Sequence, residues 1–315
     1  MRPQRLIALA ASLALGLGVA ACGDDDDGGG GGGGNLSGDI SIDGSSTVFP
    51  YARAASELFR AENPDVKITV GESGTGGGFE KFCNKETDIS DASRPIDPEE
   101  EVPLCEEEGV KYSEVQVAND GIAVTTNKGL TIDCMTTEQL KTLWQDDTVT
   151  NYNQVDPKLP DQEVSLYGPG TDSGTFDFFT EEVNGEEGTS RKKYQPSEDD
   201  NQLVQGVSGD QNGLGYFGFS YYEQNTDKLN LVGVDAGDGC VKPSKESIQS
   251  GQYKPLSRPL FMYPSADAIK RPEVKAFMDY ILANQDKIAE QSKIVPMTPE
   301  QSDKAKQGLT KAEGA

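Results

Sequence analysis

From about residue 38 onward, the hydrophobic period alternates between short β runs and helical repeats. Ile40 to Ile42 reads as a strand. After Asp43-Gly44, residues 47–62 place Phe49, Ala52, Ala55, Leu58 and Phe59 on one helical face, and Asn63-Pro64 stops that helix. Residues 67–70 predict a second strand. A glycine-rich run from Gly71 to Gly78 then leads into a helix beginning near Phe79, and residues 88–92 predict a third strand that ends at Ser93-Arg94-Pro95. Residues 114–126 are long, β-rich and interrupted by Asp120-Gly121, which suits a strand crossing between two domains.

The second region repeats the grammar. It predicts a helix over residues 137–145, a strand over 164–167, the loop Gly168-Pro169-Gly170-Thr171-Asp172, and a helix from Ser173 whose buried stripe is Phe176, Phe179 and Val183. A glycine-rich strand (213–219), a Tyr-rich helix, strands at 229–234 and 258–263, and an amphipathic helix at 273–284 follow. This is α/β grammar, with strands expected to be mostly parallel and buried between helices. Trp144 reads as packing in the second domain, and Asp199-Asp200-Asn201 as a solvated loop.

The first residues break the pattern. Arg2 and Arg5 precede an apolar stretch, Leu6 to Ala21, too short for a comfortable membrane span, so residues 1–21 read as an export signal. The stretch ends in Val19-Ala20-Ala21-Cys22, which resembles the bacterial lipobox, so Cys22 is expected to carry lipid. Residues 22–37, with four aspartates and seven successive glycines, can bury no core and read as a tether with a reach of roughly 20 Å.

Composition then removes whole classes of function. The formal charge of -25 becomes -27 once residues 1–21 and their two arginines are removed, which leaves no basic surface for nucleic acid. The absence of histidine excludes Ser-His-Asp and Cys-His catalysis and takes away the commonest metal ligand. No cofactor or metal is expected. Four cysteines remain, Cys83, Cys105, Cys134 and Cys240, and in an exported chain they are expected to form disulfides. Three pairings are possible; proximity favours Cys83 with Cys105 and Cys134 with Cys240.

Chemistry concentrates where strands lead into helices. Four such junctions are crowded with hydroxyl residues and glycine: Gly44-Ser45-Ser46-Thr47, Ser73-Gly74-Thr75-Gly76, Ala92-Ser93-Arg94 and Thr171-Asp172-Ser173-Gly174-Thr175. Each offers backbone N–H groups and hydroxyl donors with little Cβ bulk, the makings of a small-oxyanion site. Any one of them alone reads as an ordinary N-cap. The Gly74 to Phe79 run lacks the third glycine of a dinucleotide fingerprint, and Gly174-Thr175 lacks the lysine of a phosphate-binding P-loop.

Together, Gly44 to Pro50, Ser73 to Phe79, Asp88 to Ile96 and Gly168 to Thr175 resemble the motifs of the PstS family, the phosphate-binding proteins of phosphate-specific ABC importers. The motifs stand in family order, and the likeness spans nearly all of residues 38–300. It implies a two-lobed α/β clamp of the periplasmic-binding-protein type II, crossed twice by the chain, with lobe 1 at 38–121 and 256–315 and lobe 2 at 122–255. It also implies that phosphate is held by Ser46, Thr47 and the Val48 amide, by Thr75 with Ser73 beside it, and by Ser173, Gly174 and Thr175.

In a well-known branch of the family an aspartate accepts the proton of phosphate where this chain has Ser93, and an arginine stands where this chain has Pro169. Arg94 is then expected to supply the charge, and Asp91 or Asp172 to replace the acceptor. The ordinary readings are an N-cap for Asp172 and a strand residue facing away from the cleft for Asp91. The implied protein is a monomeric receptor, lipid-anchored on the extracytoplasmic side of the cell membrane, that hands inorganic phosphate to ABC permease subunits and is not an enzyme. A receptor for sulfate or molybdate and a phosphate-sensing surface protein are the alternatives.

Overall fold

The computed structural model describes residues 36–171, 173–197 and 199–313. The export signal, Cys22, the tether up to Asn35 and Asp172 lie outside these residues. In chain order the strands are β1 (Gly38–Gly44), β2 (Val66–Val70), β3 (Ile89–Ala92), β4 (Val115–Asn127), β5 (Cys134–Thr136), β6 (Ser165–Gly168), β7 (Gln195–Pro196), β8 (Gly213–Gly218), β9 (Leu229–Asp235), β10 (Cys240–Val241) and β11 (Ser257–Pro264). They pair in the order β2-β1-β3-β11-β4-β8-β6-β7, and β9 joins β4 to β5 and β10.

Of the ten pairings among described strands, five are antiparallel, so the expectation of mostly parallel strands does not hold. The reason lies in the two long strands. β11 runs against both β3 and β4, and β4 runs against β8 and β9. β4 is also continuous from one lobe to the other: its first half, to Gly121, pairs with β11, and its second half, from Ile122, pairs with β8 and β9.

Two separate cores flank this crossing. Ile40, Ile42, Tyr51, Phe59, Leu260 and Phe277 belong to one, and Ile122, Leu143, Trp144, Phe179, Tyr216 and Leu256 to the other. Trp144 packs edge-on against Phe179, Tyr194 and Tyr216, the structural role its sequence context suggested. The molecule is thus a two-lobed α/β clamp in which β4 leads out of the first core and β11 leads back. The chain touches the crossing once more at Val295, which exchanges backbone hydrogen bonds of 2.8 and 3.0 Å with Asn119.

Helix ends follow local chemistry. Thr136 and Gln139 form a capping box at the start of Thr137–Gln145. Pro50 stands at the start of Phe49–Glu62, where its missing N–H has no consequence. The helix expected near Phe79 begins at Gly74 instead and runs through the glycines to Cys83. Packing accounts for this: a Cβ at Gly78 would collide with Gly44 Cα, so the helix approaches β1 only with glycine there. Asp199 is an N-cap of the helix Asp200–Gly209 rather than part of a solvated loop. Among the described residues no helix is long and apolar enough to cross a membrane.

Both disulfides join the cysteines that proximity favoured. Cys83–Cys105 ties Gly74–Cys83 to the helix Glu101–Glu107, and Cys134–Cys240 ties β5 to β10. Their sequence separations are 22 and 106 residues. On chain entropy alone, the double change Cys134→Ser with Cys240→Ser should cost about 1.4 kcal/mol more stability than Cys83→Ser with Cys105→Ser. Denaturant unfolding of the two variants measures the difference.

Candidate functional site

A cavity of about 420 Å³ lies where the lobes meet, and three hydroxyl-bearing loops of the first lobe line it. The first loop, Ser45 to Thr47, leaves the end of β1. A Cβ on Gly44 would fall on the Asp91 carbonyl, which accepts the Ser45 N–H at 3.0 Å, so the turn requires glycine. Val48 is absent from the lining. It is fully buried, and its amide donates to Ser45 O at 3.1 Å.

Asp43 supports the second loop from behind. It accepts the Ser73 hydroxyl at 2.6 Å and the Ser73 amide at 3.1 Å, while Lys81 Nζ donates to its other oxygen at 2.6 Å. Burial alone would raise the Asp43 carboxyl, but the bonds from Lys81 and Ser73 bring it below its ordinary value. Thr75 and Ser93, predicted from separate motifs, come together with hydroxyls 3.1 Å apart, and both line the cavity. Arg94 lines it too, with its guanidinium already matched by a two-pronged pair to Glu101 at 2.8 and 2.9 Å.

From the fourth loop Gly174 reaches the cavity. Ser173 instead caps the helix Gly174–Phe179, its hydroxyl accepting the Thr175 amide at 3.2 Å, and neither Ser173 nor Thr175 is part of the lining. Here the lobes touch: the Thr47 hydroxyl donates to Gly174 O at 3.3 Å. A Cβ on Gly174 would stand 2.5 Å from Ser46 Oγ and 2.6 Å from Thr47 N, so this contact also depends on glycine.

Two features of the site were missed by sequence reasoning. Arg258, read only as a strand residue, lines the cavity, and its Nη2 donates to Thr47 Oγ1 at 2.8 Å. Its guanidinium carbon lies 3.6 Å from the centroid of the Phe178 ring, a cation–π contact, and its Nε lies 3.5 Å from Asp120 Oδ2. The charge expected at Arg94 therefore has a second, more deeply buried source. A cation beside the run Leu260-Phe261-Met262-Tyr263 was the available signal, since a buried strand seldom carries an unmatched charge.

The second missed feature is acidic. Asp177, Glu181, Glu182 and Glu187 line the second lobe's side of the cavity, Glu181 and Glu182 from a π-helical turn at Thr180–Asn184. Such turns are frequent at functional sites. Burial, then the neighbouring Glu181, raise the Glu182 carboxyl against the opposing pull of Arg258.

Asp91 faces away from the cleft. It is 1 % exposed, lies outside the lining, and neither carboxyl oxygen has a hydrogen-bond partner among the described residues. Burial, and secondarily Asp43, push its carboxyl well above the usual range. Among the described residues no group of three or more Cys, Asp or Glu is arranged to hold a metal ion.

Comparison with known proteins agrees with this geometry. Residues 30–285 match the model of the PBP superfamily domain. The chain is 41% identical over 293 residues to the phosphate-binding protein PstS of Staphylococcus saprophyticus, covering 92% of this chain and 88% of that protein. The chain belongs to the PstS family. Protein SphX of Synechococcus elongatus is 44% identical over 262 residues, 82% of this chain and 77% of that protein. Among solved structures, a possible phosphate binding protein from Planctomyces limnophilus superposes with a TM-score of 0.82 at 42% identity, covering 88% of this chain and 99% of that one. A putative phosphate ABC transporter substrate-binding protein from Clostridium perfringens, with bound phosphate, gives a TM-score of 0.59 at 27% identity over 83% of this chain and 100% of that one.

Two outcomes follow from the family clamp as it stands here. Gly174→Ala should force the touching loops apart by about 1 Å, because packed interiors have no slack to absorb a methyl group; solution scattering should read a larger radius of gyration than for the parent. Asp91→Asn should stabilise the protein at neutral pH. The folded-state carboxyl titrates above its unfolded value, so its ionisation opposes folding increasingly as pH rises past about 4. Thermal unfolding across pH should show the advantage of the variant growing from acid towards neutrality.

Proposed function

We propose that the cleft captures inorganic phosphate and that the chain is the receptor component of an ABC phosphate importer, not an enzyme. One observation carries the reading: six hydroxyl side chains and two guanidinium groups converge on one cavity between two lobes that meet at Gly174. Ser45, Ser46, Thr47, Ser73, Thr75 and Ser93 bring neutral hydroxyls to the wall, those of Thr47 and Ser73 already donating to Gly174 O and Asp43, and Arg94 and Arg258 supply charge. A dehydrated oxyanion gains from such fixed donors because water no longer competes for them. The relatives named for phosphate and the structure holding phosphate support the same ligand.

Phosphate is favoured over sulfate by the carboxylates on the opposite wall. A protonated oxyanion donates to Glu182 or its neighbours, whereas sulfate near neutral pH has no proton to give and meets only repulsion. These acids take the part that the sequence assigned to Asp91 or Asp172. The rest of the reading follows the sequence: Cys22 lipidated, the lobes at 38–121 with 256–315 and at 122–255 closing as rigid bodies around the ligand, and the closed monomer presented to permease subunits from the extracytoplasmic face.

Calorimetric titration of the mature domain, freed of bound anion, with phosphate and then sulfate across about pH 5–9 tests the ligand. Phosphate should bind and sulfate should give negligible heat, with phosphate affinity falling as pH rises and the ligand loses the proton that it donates to the acidic wall. Equal binding of sulfate, or no heat with either anion, refutes the assignment. Mass analysis of the membrane-extracted protein tests the anchor: an unmodified Cys22 thiol excludes it.

A further inference from the structure

Arg258 and Asp120 are register partners on β11 and β4, at the point where both strands pass between the lobes. Both side chains are largely withdrawn from water, 14 % and 13 % exposed. Their roles differ, because Arg258 lines the cavity and Asp120 does not. The Nε–Oδ2 separation is 3.5 Å, and neither atom has a hydrogen-bond partner among the described residues, so charge rather than a well-aligned bond holds the pair. Of the other guanidinium nitrogens, Nη2 donates to Thr47, and Nη1 has no protein partner among the described residues.

A guanidinium in such a place needs a counter-charge whether or not a ligand is present. We propose that Asp120 is the resident counter-ion of Arg258: it holds the empty cleft together and, because its charge opposes the incoming anion, it limits how tightly the cleft binds phosphate. The inference rests on the reading of the cavity as a phosphate site. When the oxyanion arrives at Nη1, one cation serves two anions, and the ligand gains less than it would from an unmatched guanidinium. Glu181 and Glu182 face the same guanidinium from the second lobe. Both are more open to water than Asp120, so screening weakens their part and leaves the enclosed Asp120 as the dominant opponent.

The test is Asp120→Asn in the otherwise unaltered chain, with inorganic phosphate as the probe. Losing a packing role alone would weaken both stability and binding, whereas a resident counter-ion predicts opposite signs. The unliganded variant should be less stable than the parent, yet bind phosphate about tenfold more tightly in calorimetry. Phosphate should correspondingly raise its unfolding midpoint further than that of the parent. If the unliganded variant unfolds, phosphate should restore its circular dichroism below the concentration that half-saturates the parent. Equal or weaker phosphate binding by a folded variant, or no recovery of an unfolded one, overturns the proposal. Absence of phosphate binding by the parent overturns the functional reading instead, so the two failures are distinct.

Discussion

A guanidinium enclosed at the crossing of two strands must be matched on every side, and much of the cleft is arranged around that requirement. Asp120 stands opposite Arg258 in strand register, Thr47 accepts from it on the first lobe, and Phe178 covers its face from the second. These contacts come from a crossing strand, a ligand loop and the far lobe. The same side chain therefore joins the crossing strands, the cavity and both lobes. Were Arg258 replaced by an apolar residue of similar size, Asp120 would be left buried without its partner, a change of about 3–5 kcal/mol.

Backbone proximity is the complementary constraint. The neutral donors converge because glycines at 44, 78 and 174 let main chains approach where any Cβ would intrude. Asp43 then fixes Ser73 and Lys81 together, so that the second loop is held by a half-buried carboxylate rather than by the ligand. The second lobe completes the cavity with Gly174, Phe178 and the acidic wall.

The sequence was most legible where structure is local. Strand and helix periods, the capping positions, the crossing at Asp120-Gly121 and the loops carrying Ser46, Thr47, Ser73, Thr75 and Ser93 could be read because each depends on residues a few positions apart. The role of Arg258 could not, since it arises from pairing with Asp120 and Thr47 far away in the chain. Glu181 and Glu182 were hidden for another reason: the π-helical turn inserts an extra residue into the period that would otherwise place them. The parallel-sheet expectation failed because a return strand such as β11 has the same hydrophobic content whichever way it runs.

The acidic wall has a kinetic consequence. Asp177, Glu181, Glu182 and Glu187 line one wall of the cavity in a chain of formal charge -25, so an anion diffusing inward meets a repulsive field. Dissolved salt flattens that field over a Debye length of about 8–10 Å while leaving the enclosed donors almost untouched. Capture should accordingly speed up with ionic strength, the reverse of the electrostatic steering seen between oppositely charged partners, and a brackish medium would serve this receptor better than a dilute one.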